Sequence, residues 1–251
     1  GMRTYLAGEP WERISLDITG RHPKSSDGNV YILTIIDHFT RYAFAYPIRD
    51  HTAPTVCKIL TNKVFPIHGF PLQLLADNGP EFNSGMMNEL QAVMGMERLR
   101  IAPYHPGANG CLERFHRTLN SLLGKVVDQS QRGWDKLLPH VLCAYNSTKH
   151  DTTGYSPNFL LLGRELRAPI DLVLTGIQDP PAWQSYDAFV ADQQALIKRA
   201  YLLVRLHTQT CAERRKERYD LRVRESGYVV GSWVWRFYPR RYVGRSPKWQ
   251  C

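Results

Sequence analysis

The chain has 251 residues, a formal net charge of +9, 43% hydrophobic and 22% charged residues. These ordinary globular proportions exclude a collagen-like, mucin-like or generally disordered chain. The longest apolar runs, such as Tyr31-Ile32-Leu33, fall far short of the roughly 20 residues a membrane span needs. No charged stretch followed by an apolar one opens the chain, so no secretory signal and no membrane partner are expected. Gly1 ahead of Met2 reads as a residue left by cloning, which would make the N-terminus an artificial boundary.

The positive charge is not evenly spread. Residues 198–251 hold 14 basic and 4 acidic residues, a net of +10, while residues 1–197 stand at −1. A polyanionic partner for the last fifth of the chain is the sharper reading, and a solvated basic helix the plainer one. Cys57, Cys111, Cys143, Cys211 and Cys251 are odd in number and contain no Cys-x-x-Cys pair. A reducing, intracellular compartment is therefore expected. The nine histidines show no zinc-finger spacing, so no zinc is expected in this chain.

In chain order, Ile14 to Thr19 alternates apolar and polar residues and predicts a strand. Asp27-Gly28-Asn29 is a turn signal. Val30 to Ile36 is β-branched and nearly all apolar, which predicts a strand buried on both faces. Tyr42 to Ile48 completes a three-stranded meander. Thr52 to Phe65 has helical spacing, with Thr52 as N-cap and Pro54 in the first turn. Leu72 to Ala76 is too short for a helix and predicts a strand. A helix from about Ser84 to Met94 follows, then a strand from Glu97 to Ile101. Pro103 to Gly110 is a loop with Gly107 and Gly110 as hinges. From Cys111 a long helix runs through Leu112, Phe115, Leu119, Leu122, Leu123, Val126 and Val127, and Trp134 to Tyr145 is another. This order predicts an α/β fold, a mixed five-stranded sheet flanked by helices.

Asp179-Pro180-Pro181 marks a boundary. Beyond it, Tyr186 to about Arg222 predicts a long helix, with Phe189, Leu196, Ala200, Leu203 and His207 near heptad spacing. Ser232 to Phe237 places large aromatics at alternate positions, as a strand does. The expected division is 1–178 for the α/β core, 179–225 for a basic helical linker and 226–251 for a truncated small β-barrel.

Three acids stand at telling places: Asp17 on the first strand, Asp77 at the end of the fourth, and Glu113 in the first turn of the long helix. Strand ends and helix starts converge at one edge of an α/β sheet, where ligands bind. At about 5 Å and an effective dielectric near 20, each pair of carboxylates repels by roughly 3 kcal/mol. A hard divalent cation relieves that repulsion, and oxygen-only ligands favour Mg²⁺ or Mn²⁺ over zinc. Two such ions would clamp the attacking and leaving oxygens of a phosphodiester displacement. The spacing alone selects nothing, since surface acids can fall at these intervals by chance.

The flanking residues do select. Trp11-Glu12-Arg13-Ile14-Ser15-Leu16-Asp17, Asp77-Asn78-Gly79-Pro80-Glu81-Phe82 and Tyr104-His105-Pro106-Gly107-Ala108-Asn109-Gly110-Cys111-Leu112-Glu113-Arg114-Phe115-His116-Arg117 closely resemble the catalytic core of integrases from gypsy-class LTR retrotransposons, relatives of retroviral integrases. Asp37-His38-Phe39-Thr40-Arg41, Ala144-Tyr145-Asn146-Ser147-Thr148, Gly154-Tyr155-Ser156-Pro157, Leu162-Gly163-Arg164 and Gly231-Ser232-Trp233-Val234 extend the resemblance from about residue 8 to the end.

The resemblance implies an RNase H-like core in which Asp17, Asp77 and Glu113 are catalytic and hold two Mg²⁺ ions. It implies DNA 3′-end processing and strand transfer into target DNA, without a covalent enzyme intermediate. On the long helix, His116 and Arg117 follow Glu113 at i+3 and i+4, with Asn120 a turn further on, a stripe expected to face DNA. Tyr104 and His105 in the loop, and Arg214, Arg215, Lys216 and Arg218 on the basic helix, complete the expected DNA contacts. For His116 a structural hydrogen bond is the equal alternative, and for Tyr104 simple packing. Asn78 is expected to support Asp77 from behind. Asp37 reads as a capped structural carboxylate, with a fourth metal ligand as the lesser alternative; Cys111 is read as incidental.

The expected partners are double-stranded DNA, further copies of this chain in a homodimer or higher oligomer, and a chromatin protein; the nucleus is the expected location. The zinc-binding domain that precedes such cores is absent, and Ser232 stands where the family usually has Asp. The rival reading is a host-domesticated copy that binds DNA or chromatin without catalysis. A ribonuclease H shares the metal chemistry and lacks these motif surroundings.

Overall fold

The computed structural model describes residues 6–100, 110–128, 130–167, 185–221, 231 and 233. The alternating and apolar segments at the start of the chain form strands β1 (Arg13–Gly20), β2 (Tyr31–Asp37) and β3 (Ala43–Ile48), paired antiparallel in sequence order. After a helical crossover, β4 (Gln73–Ala76) joins the other side of β1 in parallel, and β5 (Glu97–Arg100) pairs parallel with β4. The order β3-β2-β1-β4-β5 makes a mixed five-stranded sheet, as the element order indicates.

Strand β2 explains why its sequence is nearly all apolar. Leu33 and Ile35 join Ile14, Leu16 and Leu74 under the first helical layer, together with Val56, Leu60 and Met87. Ile32 and Ile36 face the other way, against Leu112, Phe115, Leu119, Leu138 and Val141. Side chains alternate along a strand, so a strand covered on both faces must be apolar at both parities. The second layer consists of α4 (Gly110–Val126) and α5 (Trp134–Ser147). Leu112, Phe115, Leu119 and Leu123 recur every three or four residues and are all buried, each contributing about 2 kcal/mol of apolar burial.

The helix expected over 52–65 is interrupted. It divides into α1 (Ala53–Ile59), a π-helical turn at Leu60–Val64, and α2 (Phe65–His68). Pro66 has no N–H to give to the preceding turn and its ring crowds the carbonyl four residues back, so the chain widens ahead of it. Thr52 occupies the N-cap position without capping: its hydroxyl donates to Asp50 Oδ1 at 2.6 Å. Ser84 does cap α3 (Gly85–Val93), accepting from Met87 N at 3.2 Å. A short helix that the apolar pattern does not announce, α6 (Pro157–Leu162), starts at a capping Ser156 and ends at left-handed Gly163.

The long helix α7 (Tyr186–Asp220) forms as expected, but its buried stripe differs. Ala200, Val204, Thr208 and Ala212 are buried, while Leu196 and Leu203 are exposed. The buried positions recur every four residues and are small, so α7 lies close against the core rather than presenting a heptad of leucines. Ala200 and Val204 pack with Ala7, Phe39 and Leu160, and the Tyr201 hydroxyl donates to Leu160 O at 3.1 Å. The boundary at 179–181 and the strand expected over 232–237 lie outside the described residues, apart from Trp233.

Candidate active site

Strand parity and register bring the first two acids together. Even-numbered Ile14 and Leu16 of β1, with Leu74 and Ala76 of β4, face the α1 and α3 layer. Odd-numbered Ser15 and Asp17 therefore face α4. In the parallel pairing, Arg13 stands opposite Gln73 and Ser15 opposite Leu75. Continued by two residues, that register would set Asp17 opposite Asp77, which follows the last residue of β4.

Helix α4 is pinned at the same level. Asp17 pairs with Thr34 across the β1–β2 ladder. The Thr34 hydroxyl donates to Asp17 O at 2.9 Å and lies 2.7 Å from His116 Nε2. His116 Nδ1 is 3.8 Å from Asp17 Oδ2. Glu113, in the first turn of α4, stands one helical turn before His116 and is exposed at the site's mouth.

Asp17 feels the other acids electrostatically. The Asp17 carboxyl is pushed up to about 6, first by burial, with Asp77, Glu81 and Glu113 adding repulsion; the Ile18 N–H, 2.8 Å from Oδ1, opposes the rise. Glu81 is the acid that sequence reasoning passes over. It lies in the turn after Asp77, with Oε2 3.9 Å from His51 Nδ1. Gly79 makes room for it: a Cβ there would stand 2.8 Å from Glu81 Cδ and 3.0 Å from Asp77 Oδ1. The available signal is a second carboxylate four residues after Asp77 across an Asn-Gly-Pro turn, which folds back on itself.

His116 is half-buried, and burial, its largest influence, pulls its imidazole down to about 4. At neutral pH it is an uncharged ring holding Thr34 and walling Asp17. It does not stand in one outward row with Arg117 and Asn120, because its ring turns under the helix. Arg117 is exposed on the face shared with Arg114, Ser121 and Lys125. Asn120 is exposed on the helix between the positions of His116 and Arg117, and lines a groove with His22 and Trp134. Asn78 follows Asp77 in the same exposed turn. Arg214, Lys216 and Arg218 are exposed near the end of α7, and Arg215 is half-buried. Tyr104 and His105 lie outside the described residues.

Asp37 is a different kind of acid. It is fully buried at the end of β2. Oδ1 accepts from Trp11 N at 3.2 Å and Phe39 N at 3.4 Å, and Oδ2 from Thr40 N at 2.9 Å and Thr40 Oγ1 at 2.6 Å. Burial raises its affinity for a proton and these donors oppose the rise. All its neighbours are structural, so it is the capped carboxylate of the plainer reading.

The donor chemistry suits a hard divalent cation: Asp17, Asp77, Glu81 and Glu113 offer only oxygen. Among the described residues no three acids, histidines or cysteines are already drawn into a coordination cage. Asp77 Oδ1 accepts from Gly79 N at 2.9 Å, the bond of an Asx turn.

Residues 7–106 match the family model "Integrase core domain". The chain is 27% identical over 224 residues to the retrovirus-related Pol polyprotein from transposon 412 of Drosophila melanogaster, covering 89% of this chain and 18% of that one. It is 32% identical over 165 residues to the Gag-Pol polyprotein of walleye dermal sarcoma virus, covering 64% of this chain and 9% of that one. Among solved structures, the simian T-cell lymphotropic virus intasome in complex with PP2A regulatory subunit B56 gamma shares the fold. The TM-score is 0.57 at 20% identity, covering 73% of this chain and 63% of that one. Residues 7–106 thus resemble an integrase core domain, and the chain spans a small part of the length of the polyproteins it is similar to.

Proposed function

We propose that the chain is a DNA integrase, a polynucleotidyl transferase that trims a DNA 3′ end and joins it to target DNA with the help of Mg²⁺ or Mn²⁺, two ions per site. What supports this reading is the field around Asp17, whose carboxyl is pushed up to about 6 first by burial and then by the repulsion of Asp77, Glu81 and Glu113. Such crowding destabilises the protein on its own and becomes useful when positive charge arrives. Bound there, divalent cations supply the charge that screens a phosphodiester and activates water or a 3′-OH.

The chain's own residues do the rest. Asp17, Asp77 and Glu113 hold the ions, Glu81 adds negative field, and neutral His116 keeps Asp17 in place through Thr34. Arg117, Asn120 and the cations of α7 bind the DNA backbone, and Asn78 supports Asp77. An origin in a mobile element of the gypsy class is part of this proposal; the match to a transposon's retrovirus-related Pol polyprotein over 89% of the chain supports the mobile-element part of it. Double-stranded DNA and further copies of this chain are the proposed partners, since joining two ends needs more than one site. Action on chromosomal DNA places the protein in the nucleus, beside a chromatin partner.

The test is incubation with Mn²⁺ and a labelled DNA end. Joined products are expected, and Glu113→Gln should lower their yield by roughly a thousandfold or more while DNA binding stays. DNA binding with no metal-dependent strand chemistry in the wild type would favour the domesticated, non-catalytic reading instead.

A further inference from the structure

Arg41 is 7% exposed, yet no carboxylate among the described residues lies within ion-pairing distance of it. It sits at the turn between β2 and β3 with a left-handed backbone, φ 67°, and its N–H donates to Asp37 O at 3.0 Å. Its Nη1 donates to Cys111 Sγ at 2.7 Å, and its Nε is buried with no hydrogen-bond partner. Cys111 is in the first turn of α4, where helix N–H groups lack partners within the helix.

Two more guanidiniums come to the same place. Arg114 folds back along α4, its Nη1 3.6 Å from where a Cβ on Gly110 would stand. Arg215 comes from α7, half-buried, with Nε donating to Cys211 O at 3.0 Å. Burial, and then the nearness of Arg114 and Arg41, make Arg215 easier to deprotonate. Neither Arg114 nor Arg215 has a carboxylate within ion-pairing distance among the described residues. Three cations from three elements thus converge on a helix start without an anion.

We propose that Arg41, Arg114 and Arg215, with the first turn of α4, form a seat for one phosphate of a DNA backbone. A phosphodiester fits because its non-bridging oxygens match the guanidinium fork and the N–H groups of a helix start. DNA is the source this location favours: Arg114 is the residue after Glu113, so the seat adjoins the acid cluster. The assignment of the anion to DNA rests on the integrase reading above. One phosphate held there would tie the α/β core to α7, since Arg41 and Arg114 belong to the first and Arg215 to the second.

The test uses the full chain and a DNA-end duplex carrying one uncharged methylphosphonate, moved stepwise along each strand. One position is expected to weaken wild-type binding by about tenfold. At that position Arg215→Gln and Arg114→Gln should weaken binding almost no further, because the charge they would meet is already gone. Arg41→Lys should behave likewise. If it fails to fold, the other two variants carry the test, since their side chains are not fully buried. A methylphosphonate profile that is the same in wild type and in both of those variants overturns the seat. Inorganic phosphate that raises the melting temperature of the wild type and not of Arg215→Gln, with no sensitive DNA position, overturns the DNA assignment in favour of a free anion. These measurements need no metal. A sensitive position without strand joining sinks the catalytic reading alone; joining without a sensitive position sinks the seat alone.

Discussion

Two aspartates of the central strand pair, one at its end and one at its middle, show what separates an acid that builds the fold from one placed for chemistry. Asp37 ends β2 opposite Ile14, and Asp17 lies further along β1, opposite Thr34. Burial raises the proton affinity of both. Asp37 accepts four hydrogen bonds from Trp11, Phe39 and Thr40, so its charge is compensated within the fold. Asp17 accepts from the Ile18 N–H and faces Asp77, Glu81 and Glu113. Among the described residues its charge is compensated by that one N–H, against four donors for Asp37.

Loss of strand joining in Glu113→Gln is the largest effect expected on the Asp17 side. The largest on the Asp37 side is thermodynamic. Asp37→Asn places an amide among donors and should cost about 3 kcal/mol of unfolding free energy, read by urea denaturation. A loss below half that would mean Asp37 is not the anchor its hydrogen bonds suggest.

Asp17→Asn should do the opposite in the absence of metal. A carboxyl raised from 3.8 to about 6 binds its proton more tightly in the folded state, so its ionisation costs stability as pH rises through that window. The full shift corresponds to roughly 3 kcal/mol, and with the side chain 32% exposed about 1–2 kcal/mol is expected. Asp17→Asn should therefore stabilise the protein by that amount at pH 8 in chelator and by nothing below pH 4. Saturating Mg²⁺ should erase the advantage. Destabilisation at pH 8 would remove the contrast between the two aspartates.

The smallest effect concerns the basic helix. Cutting the chain at residue 198 would remove buried Ala200 and Val204 along with the charges, so substitution is the cleaner probe. Changing Arg214, Lys216 and Arg218 together to Gln should lower the salt slope of DNA affinity by about one for each phosphate no longer neutralised. An unchanged slope would mean the helix's charge is merely solvated.

The sheet is legible because strand parity and turn residues write it directly: alternation in Ile14 to Thr19, apolar continuity in Val30 to Ile36, Asp27-Gly28 between them. The Asp17, Asp77 and Glu113 positions are legible through their flanking motifs. What stays hidden depends on competition between nearby groups. Thr52 reads as a cap, but Asp50 takes its hydroxyl. Pro66 opens a π-helical turn that apolar spacing cannot register. Helix α6 carries its signals in Ser156-Pro157 and Gly163, but six residues are too few for periodicity to show. Spacing from Glu113 puts His116 on a DNA-facing stripe. Only the position of Thr34 across the sheet shows that its ring turns inward.

The parallel register of β1 and β4 also limits how such a protein can vary. By strand parity Asp77 falls on the face of Asp17 because it lies two positions after Leu75, which stands opposite Ser15. One residue gained or lost there would turn Asp77 toward the apolar α1 and α3 layer, since strand faces alternate strictly. Across a lineage, the side chains of β4 can drift while the length of the segment ending at Asp77 cannot, so substitutions should be common there and single-residue insertions absent among working copies.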